Sequence, residues 1–292
     1  LDSLPNVHVA VTTLCCRALL KHRELRPLAC DMAVARGLRY VLDPQNRNPE
    51  DKDEWIWARI YPIHLLAELL DEPGNGASID IPPARLKVAL QELVQDSLSR
   101  QAEDGSIRHE YRNPFTTAAL LLALKAAEQR GVAVPEDRIE RALASLERCR
   151  NKLGAFSYRQ VRSESSVRSS PRGAAGRMPL CEAALFAWQR SDEQRMARAL
   201  DAAFTHHDEL ERSRKYDDHA GRFGYGGFFY WYDMLGRQMA FELLGPRADG
   251  WRQKQLEIIL ATPEIDGCFV DSHELGRSYG TAMALLCLDD CM

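Results

Sequence analysis

The feature that most constrains this chain is a degenerate repeat: a short Gly/aromatic element, a polar loop, then a helix of small and apolar residues. It is clearest near the C-terminus, where Asp266-Gly267-Cys268-Phe269 leads through 270–278 into Tyr279-Gly280-Thr281-Ala282. Further copies are 101–106 ahead of 113–127, Leu153-Gly154-Ala155-Phe156 ahead of 176–188, and Arg222-Phe223-Gly224-Tyr225 ahead of 227–245. A repeat of this size means an array of helix pairs, because one unit cannot bury its own apolar face and must stack on the next.

Helical periodicity runs through the rest of the chain. Segments 6–21, 55–70, 114–128, 178–190, 226–244 and 278–290 are apolar nearly all round, as buried helices are. Segments 28–42, 83–100, 136–150, 192–211 and 248–260 instead carry one apolar stripe and one charged face. The alternation predicts an all-α fold over a single domain, 1–292. Its expected form is an (α/α)6 toroid of about six helical hairpins around a central cavity, with the first outer helix missing before Leu1. Pro82-Pro83, Pro135-Glu136-Asp137 and Ser191-Asp192-Glu193 place Pro or acids at helix starts, and Gly131, Gly154 and Gly245 fall near helix ends. Strand signals are nearly absent.

The formal charge of −4, spread over 38 basic and 42 acidic residues, gives no specific reason to bind nucleic acid. No apolar run is long enough to cross a bilayer, so no transmembrane segment is expected. Of eight cysteines, Cys15 and Cys16 are adjacent, Cys181 and Cys287 sit among Ala and Leu, and no CxxC pair occurs. That pattern reads as reduced core thiols and favours the cytoplasm. A periplasmic or secreted location stays open, because the chain opens on Leu1 with neither Met nor a leader. Either a leader was removed or the chain is part of a longer one.

The elements QAEDGS (101–106), DGCF (266–269) and SYGTAMALLCL (278–288) resemble the prenyltransferase and squalene-oxidase type of repeat. Terpenoid cyclases and protein prenyltransferase β subunits carry such repeats, and the resemblance covers most of 50–290. It implies the α/α toroid and a cavity for an apolar, isoprenoid-like ligand. The chemistries of that family do not carry over. Neither Asp217-Asp218 nor Asp289-Asp290 has the further Asp of an Asp-x-Asp-Asp acid. Asp266-Gly267-Cys268 mimics a zinc-binding Asp-x-Cys pair, but it precedes the loop, and no His stands near Tyr279-Gly280. A thioester would need Gln where Ala184 follows Cys181.

Polar groups in the loops before the buried helices carry the functional expectations. In 206–233, Asp217, Asp218 and His219 suit a divalent metal or an acid/base pair, beside Tyr225, Tyr230, Trp231, Tyr232 and Asp233 as a ligand-stacking wall. Asp271, His273 and Glu274 lead into the last helix with Arg277 and Tyr279, and His109-Glu110 holds the equivalent place earlier. Cys181, after Arg177 at a helix start, is a thiolate candidate with His219 or His273 as its base. The stretch 157–177, with Arg159, Arg162, Arg168, Arg172 and Arg177, reads as a mobile lid able to grip phosphate or carboxylate. The bland alternatives are a solvated charged hairpin, aromatics packed between repeats, a core thiol and a loop without function.

Three functions fit. The first is a ligand-binding or catalytic toroid, of unassigned reaction, for a small-molecule or lipid-like ligand that is apolar or stacks on aromatics. The second is a non-catalytic binding or interaction scaffold. The third is a carbohydrate-active, polysaccharide lyase-like toroid using Tyr230, Trp231, Tyr232 and Arg222.

Overall fold

The computed structural model describes residues 3–71, 81–211, 214–215, 229–272 and 275–291, which are mostly helical. Its contacts group the chain into two compact units, Leu1–Arg112 with Leu120–Ala142, and Asn113–Ala119 with Leu143–Met292. Among the described residues no helix is long and apolar enough to cross a membrane.

In the first unit α1 (Leu4–Lys21) packs on α2 (Pro27–Leu42) and α3 (Trp57–Asp71), and α3 packs on α4 (Pro83–Ser99). Helix α3 is buried without a break from its start to Ala67. Helix α2 buries one stripe, Cys30, Val34, Leu38 and Val41, and α4 buries Leu86, Leu90, Leu93, Val94 and Leu98. These spacings of three and four residues are what one apolar face requires. Pro62 lies inside α3, where it removes a backbone donor.

A two-stranded ribbon, β1 (Ile107–His109) and β2 (Tyr111–Asn113), precedes α5 (Pro114–Gln129) and α6 (Glu136–Arg148). The sequence did not announce this ribbon, because three-residue strands are too short to show a period. Asn113 accepts the Thr116 N–H at 2.8 Å and so caps α5.

The second unit contains α7 (Pro171–Ala174), α8 (Arg177–Ala187), α9 (Glu193–Thr205), α10 (His207–Glu211), α11 (Tyr230–Leu244), α12 (Asp249–Leu260) and α13 (Gly276–Leu288). Helix α11 packs between α8 and α13, with α9 on α8 and α12 on α11. Helices α8 and α11 are buried nearly all round, whereas α9 buries only the Met196, Ala199, Leu200 and Ala203 stripe. The two expected helix classes are both present. The expected helix 192–211 breaks at His206, and Asp192 caps its first part by accepting the Arg195 N–H at 2.9 Å.

The repeat itself is a backbone device. In the copies at 102–106, 151–155 and 264–268, the N–H of the first residue reaches the carbonyl of the fifth: Ala102 to Ser106 (3.0 Å), Asn151 to Ala155 (3.0 Å), Glu264 to Cys268 (2.7 Å). The glycine N–H returns to the first residue's carbonyl, Gly105 to Ala102, Gly154 to Asn151 and Gly267 to Glu264, at 2.8–2.9 Å. All three glycines have positive φ, +87°, +78° and +79°, which that turn requires. The next residue in each copy, Ile107, Phe156 or Phe269, is buried. Gly154 therefore belongs to this turn and not to the end of α6. The copy at 222–225 lies outside the described residues.

The Arg/Ser-rich stretch, expected to be a mobile lid, has defined anchors. Val167 and Ala174 are buried, and Asn151 Nδ2 donates to the Ser169 carbonyl at 2.9 Å. Gln160 Nε2 donates to the Ser145 carbonyl at 3.3 Å.

Candidate functional site

Helix α11 opens on aromatics, and its first N–H groups need acceptors. Asp271 supplies them: Oδ1 accepts from Tyr230 N at 3.1 Å and Oδ2 from Trp231 N at 2.8 Å. The Trp231 indole N–H donates to the neighbouring Val270 carbonyl at 3.3 Å, and Lys215 N donates to the Asp271 carbonyl at 2.5 Å. The Asp271 side chain is 2% exposed, and burial pushes its carboxyl up to about 7 against the pull of those two N–H groups, with buried Asp233 adding repulsion. A carboxyl that titrates near neutrality and is fixed at both oxygens is fit to exchange a proton.

A second buried polar chain runs through the same helix. Arg237 Nη2 donates to the Ala203 carbonyl at 3.1 Å and to His207 Nδ1 at 3.2 Å, and its guanidinium lies 4.7 Å over the Phe204 ring. Because His207 accepts at Nδ1, its proton sits on Nε2, 3.5 Å from the Tyr230 hydroxyl. Burial, reinforced by Arg237, drives His207 down to about 3, and burial pushes the Tyr230 phenol up. Arg237 is 0% exposed, and its Nε and Nη1 have no hydrogen-bond partner among the described residues. Burial pulls even this guanidinium down to about 10. The buried Asp233 carboxylate, one turn earlier in α11, acts on it in the opposite sense.

Asp271, Tyr230 and Trp231 therefore come together, with Asp233 one turn along. The aromatics are buried and pack on each other: Trp231 lies edge-on to Tyr230 at 5.1 Å and to Phe269 at 5.3 Å, and Tyr279 meets Phe229 at 6.2 Å. Tyr232 donates its hydroxyl to the Phe115 carbonyl at 3.3 Å.

Two expectations need correction. Cys181 is 0% exposed, and burial holds its thiol well above the ordinary value, outweighing the opposite pull of Arg177, so it is no ready thiolate. Arg177 is not presented to an anion: it is buried, donating Nε (3.0 Å) and Nη2 (2.8 Å) to the Phe156 carbonyl and Nη2 to Ser169 Oγ (3.2 Å). Asp266 accepts the Cys268 N–H at 3.2 Å, which makes the Asp-Gly-Cys segment a turn. Asp217, Asp218, His219, Tyr225, His273 and Glu274 lie outside the described residues.

Sequence reasoning missed Arg237, although an arginine in the middle of a mostly apolar helix, one turn after Asp233, was the signal to follow. It also missed Glu54. In the first unit, Glu54, His109 and Glu110 each place a ligating atom within 4.8 Å of the others, the one such group among the described residues. His109 Nδ1 lies 2.8 Å from the Asp53 carbonyl, 3.1 Å from Trp57 Nε1 and 3.7 Å from Glu54 Oε2. No protein family, curated protein or solved structure matches the chain.

Proposed function

We propose that this chain is an α/α toroid of the kind the repeat resembles, one domain over 1–292, that binds an apolar or aromatic-stacking ligand with an anionic head. The observation that carries the reading is Arg237, a fully buried guanidinium with two N–H groups unsatisfied among the described residues. An anionic head accepting from Nε and Nη1 would supply both hydrogen bonds and add its charge to that of Asp233. The surrounding aromatics of α11 suit an apolar body such as an isoprenoid. Asp271, titrating near neutrality one turn from Asp233, is the group placed to exchange a proton if the ligand is turned over. The turn geometry shared by three repeat copies and the alternation of two helix classes support the toroid. Eight free cysteines support a reducing compartment.

Native mass spectrometry of the purified chain tests this, followed by calorimetric titration with farnesyl diphosphate and with a long-chain fatty acid. The expected result is a retained or titratable anionic lipid whose affinity falls at least about tenfold in Arg237→Met. Equal binding by Arg237→Met, or no binding of either probe, removes the reading and leaves the scaffold alternative.

The carbohydrate-active reading has one observation in its favour, a polar cavity of about 420 Å³ in the second unit that includes Arg150, Glu182, Arg195 and Arg198. Its floor carries the Arg150–Glu182 ion pair at 2.5 Å. Cleavage of an acidic polysaccharide, lost in Glu182→Gln, would establish it over the lipid reading.

A further inference from the structure

Glu54, His109 and Glu110 form a cluster apart from the Arg237 network, within the first compact unit. We propose that they hold one divalent first-row transition-metal ion, bound by a single imidazole nitrogen and two carboxylates, with water completing the coordination. The first support is convergence. One ligating atom from each residue already lies within 4.8 Å of the other two. Metal bonds of about 2.0–2.2 Å place tetrahedral ligand atoms about 3.5 Å apart, so small side-chain rotations close the shell.

The second support is the setting of the imidazole. His109 is 1% exposed, and its Nδ1 lies 2.8 Å from the Asp53 carbonyl. The Trp57 indole N–H, a donor only, reaches the same Nδ1 at 3.1 Å, so the two contacts call for opposite tautomers. Metal binding through Nε2 would select the one in which Nδ1 donates to the Asp53 carbonyl. A backbone carbonyl behind a ring nitrogen is how metal-binding histidines are oriented and made more basic. Trp57 flanks the ring edge-on at 5.3 Å, and its indole N–H would give up its acceptor at Nδ1 when the metal binds.

Charge is the third. Two carboxylates converge on one imidazole, while Arg108 pairs with Asp53 at 3.4 Å and Arg112 with Asp104 at 3.1 Å. A cation between the glutamates relieves their repulsion. One nitrogen with two carboxylate oxygens suits zinc, manganese, iron or cobalt better than calcium, which prefers an all-oxygen shell. Three protein ligands leave a position for water, the arrangement of a reactive rather than a closed structural site.

The test uses the full chain, stripped with EDTA and titrated with zinc, manganese and cobalt(II) in turn by calorimetry, with the cobalt absorption spectrum recorded. The expected result is one equivalent of metal bound, with cobalt ligand-field bands. Affinity should fall at least about tenfold in Glu54→Gln and in Glu110→Gln. Glu110 is exposed, so its variant keeps the fold and remains informative should His109→Ala fail to fold. Arg237→Met should bind metal like the native chain, which separates this site from the proposed lipid site. No stoichiometric uptake of any of the three metals, or unchanged uptake in both glutamine variants, overturns the proposal.

Discussion

Arg47 donates Nε to the Ala58 carbonyl at 3.3 Å, and Ala58 is the residue whose acceptor Pro62 leaves open inside α3. Proline cannot return the i to i−4 hydrogen bond, so a buried carbonyl would otherwise go unsatisfied. The same guanidinium donates Nη2 to the Val41 carbonyl at 2.5 Å, in the last turn of α2. One side chain thus serves a helix end and a proline gap, and burial pulls its charge down to about 10. Arg47→Met should destabilise the chain by about 1–3 kcal/mol in urea unfolding. In a Pro62→Ala background the cost should shrink, since the restored N–H of residue 62 then reaches Ala58. Equal costs in both backgrounds would show that the proline gap is not what Arg47 serves.

The three repeat turns share a backbone but not an environment, and glycine-to-alanine variants should separate the two effects. A Cβ on Gly105 would stand 2.0 Å from the Arg141 carbonyl oxygen, whereas one on Gly267 meets nothing within 4 Å and one on Gly154 only Met178 Cε at 3.9 Å. Gly154→Ala and Gly267→Ala should each cost about 1–2 kcal/mol, the price of a left-handed residue with a side chain. Gly105→Ala should cost clearly more, because backbone must move. Thermal unfolding of the three variants gives the order directly.

Those turns and the helices behind them were legible because their causes are local. Gly105, Gly154 and Gly267 mark their turns by chemistry alone, and the all-round apolar content of α3 and α11 gives away their burial. What escaped depends on distant partners. The Arg237–His207 contact joins residues 30 apart in the chain. Cys181 was judged by its place at a helix start, yet the burial that decides its pKa comes from tertiary packing. Asp271 was read as a polar group in the loop before the last helix, but its capping of a helix 40 residues earlier has no sequence signature.

Thiol chemistry offers a direct check on the corrected role of Cys181. The thiol is fully buried and held in its neutral form, while Cys268 is only partly covered. Iodoacetamide at pH 8 should alkylate Cys268 readily in the folded chain and leave Cys181 unmodified until denaturant is added, as read by peptide mass spectrometry. Rapid native alkylation of Cys181 would restore the nucleophile that the sequence suggested.

Asp271 should make stability depend on pH with an unusual sign for a carboxylate. Its pKa rises from 3.8 to about 7 on folding, so the folded chain holds the proton more tightly than the unfolded one. Stability from this group is fully present below about 4 and declines as pH rises through about 7. His207 and His64, both lowered from 6.5 to about 3, act oppositely, losing stability as pH falls through that window. The raw profile therefore mixes the two, and the readout is the difference between the native chain and Asp271→Asn, which keeps one acceptor for the helix N–H groups. The native chain's stability relative to the variant should fall between about pH 4 and 7, by up to roughly 4 kcal/mol, then level off. A relative stability that instead rises with pH would mean that the carboxylate is stabilised, not opposed, by its place at the start of α11.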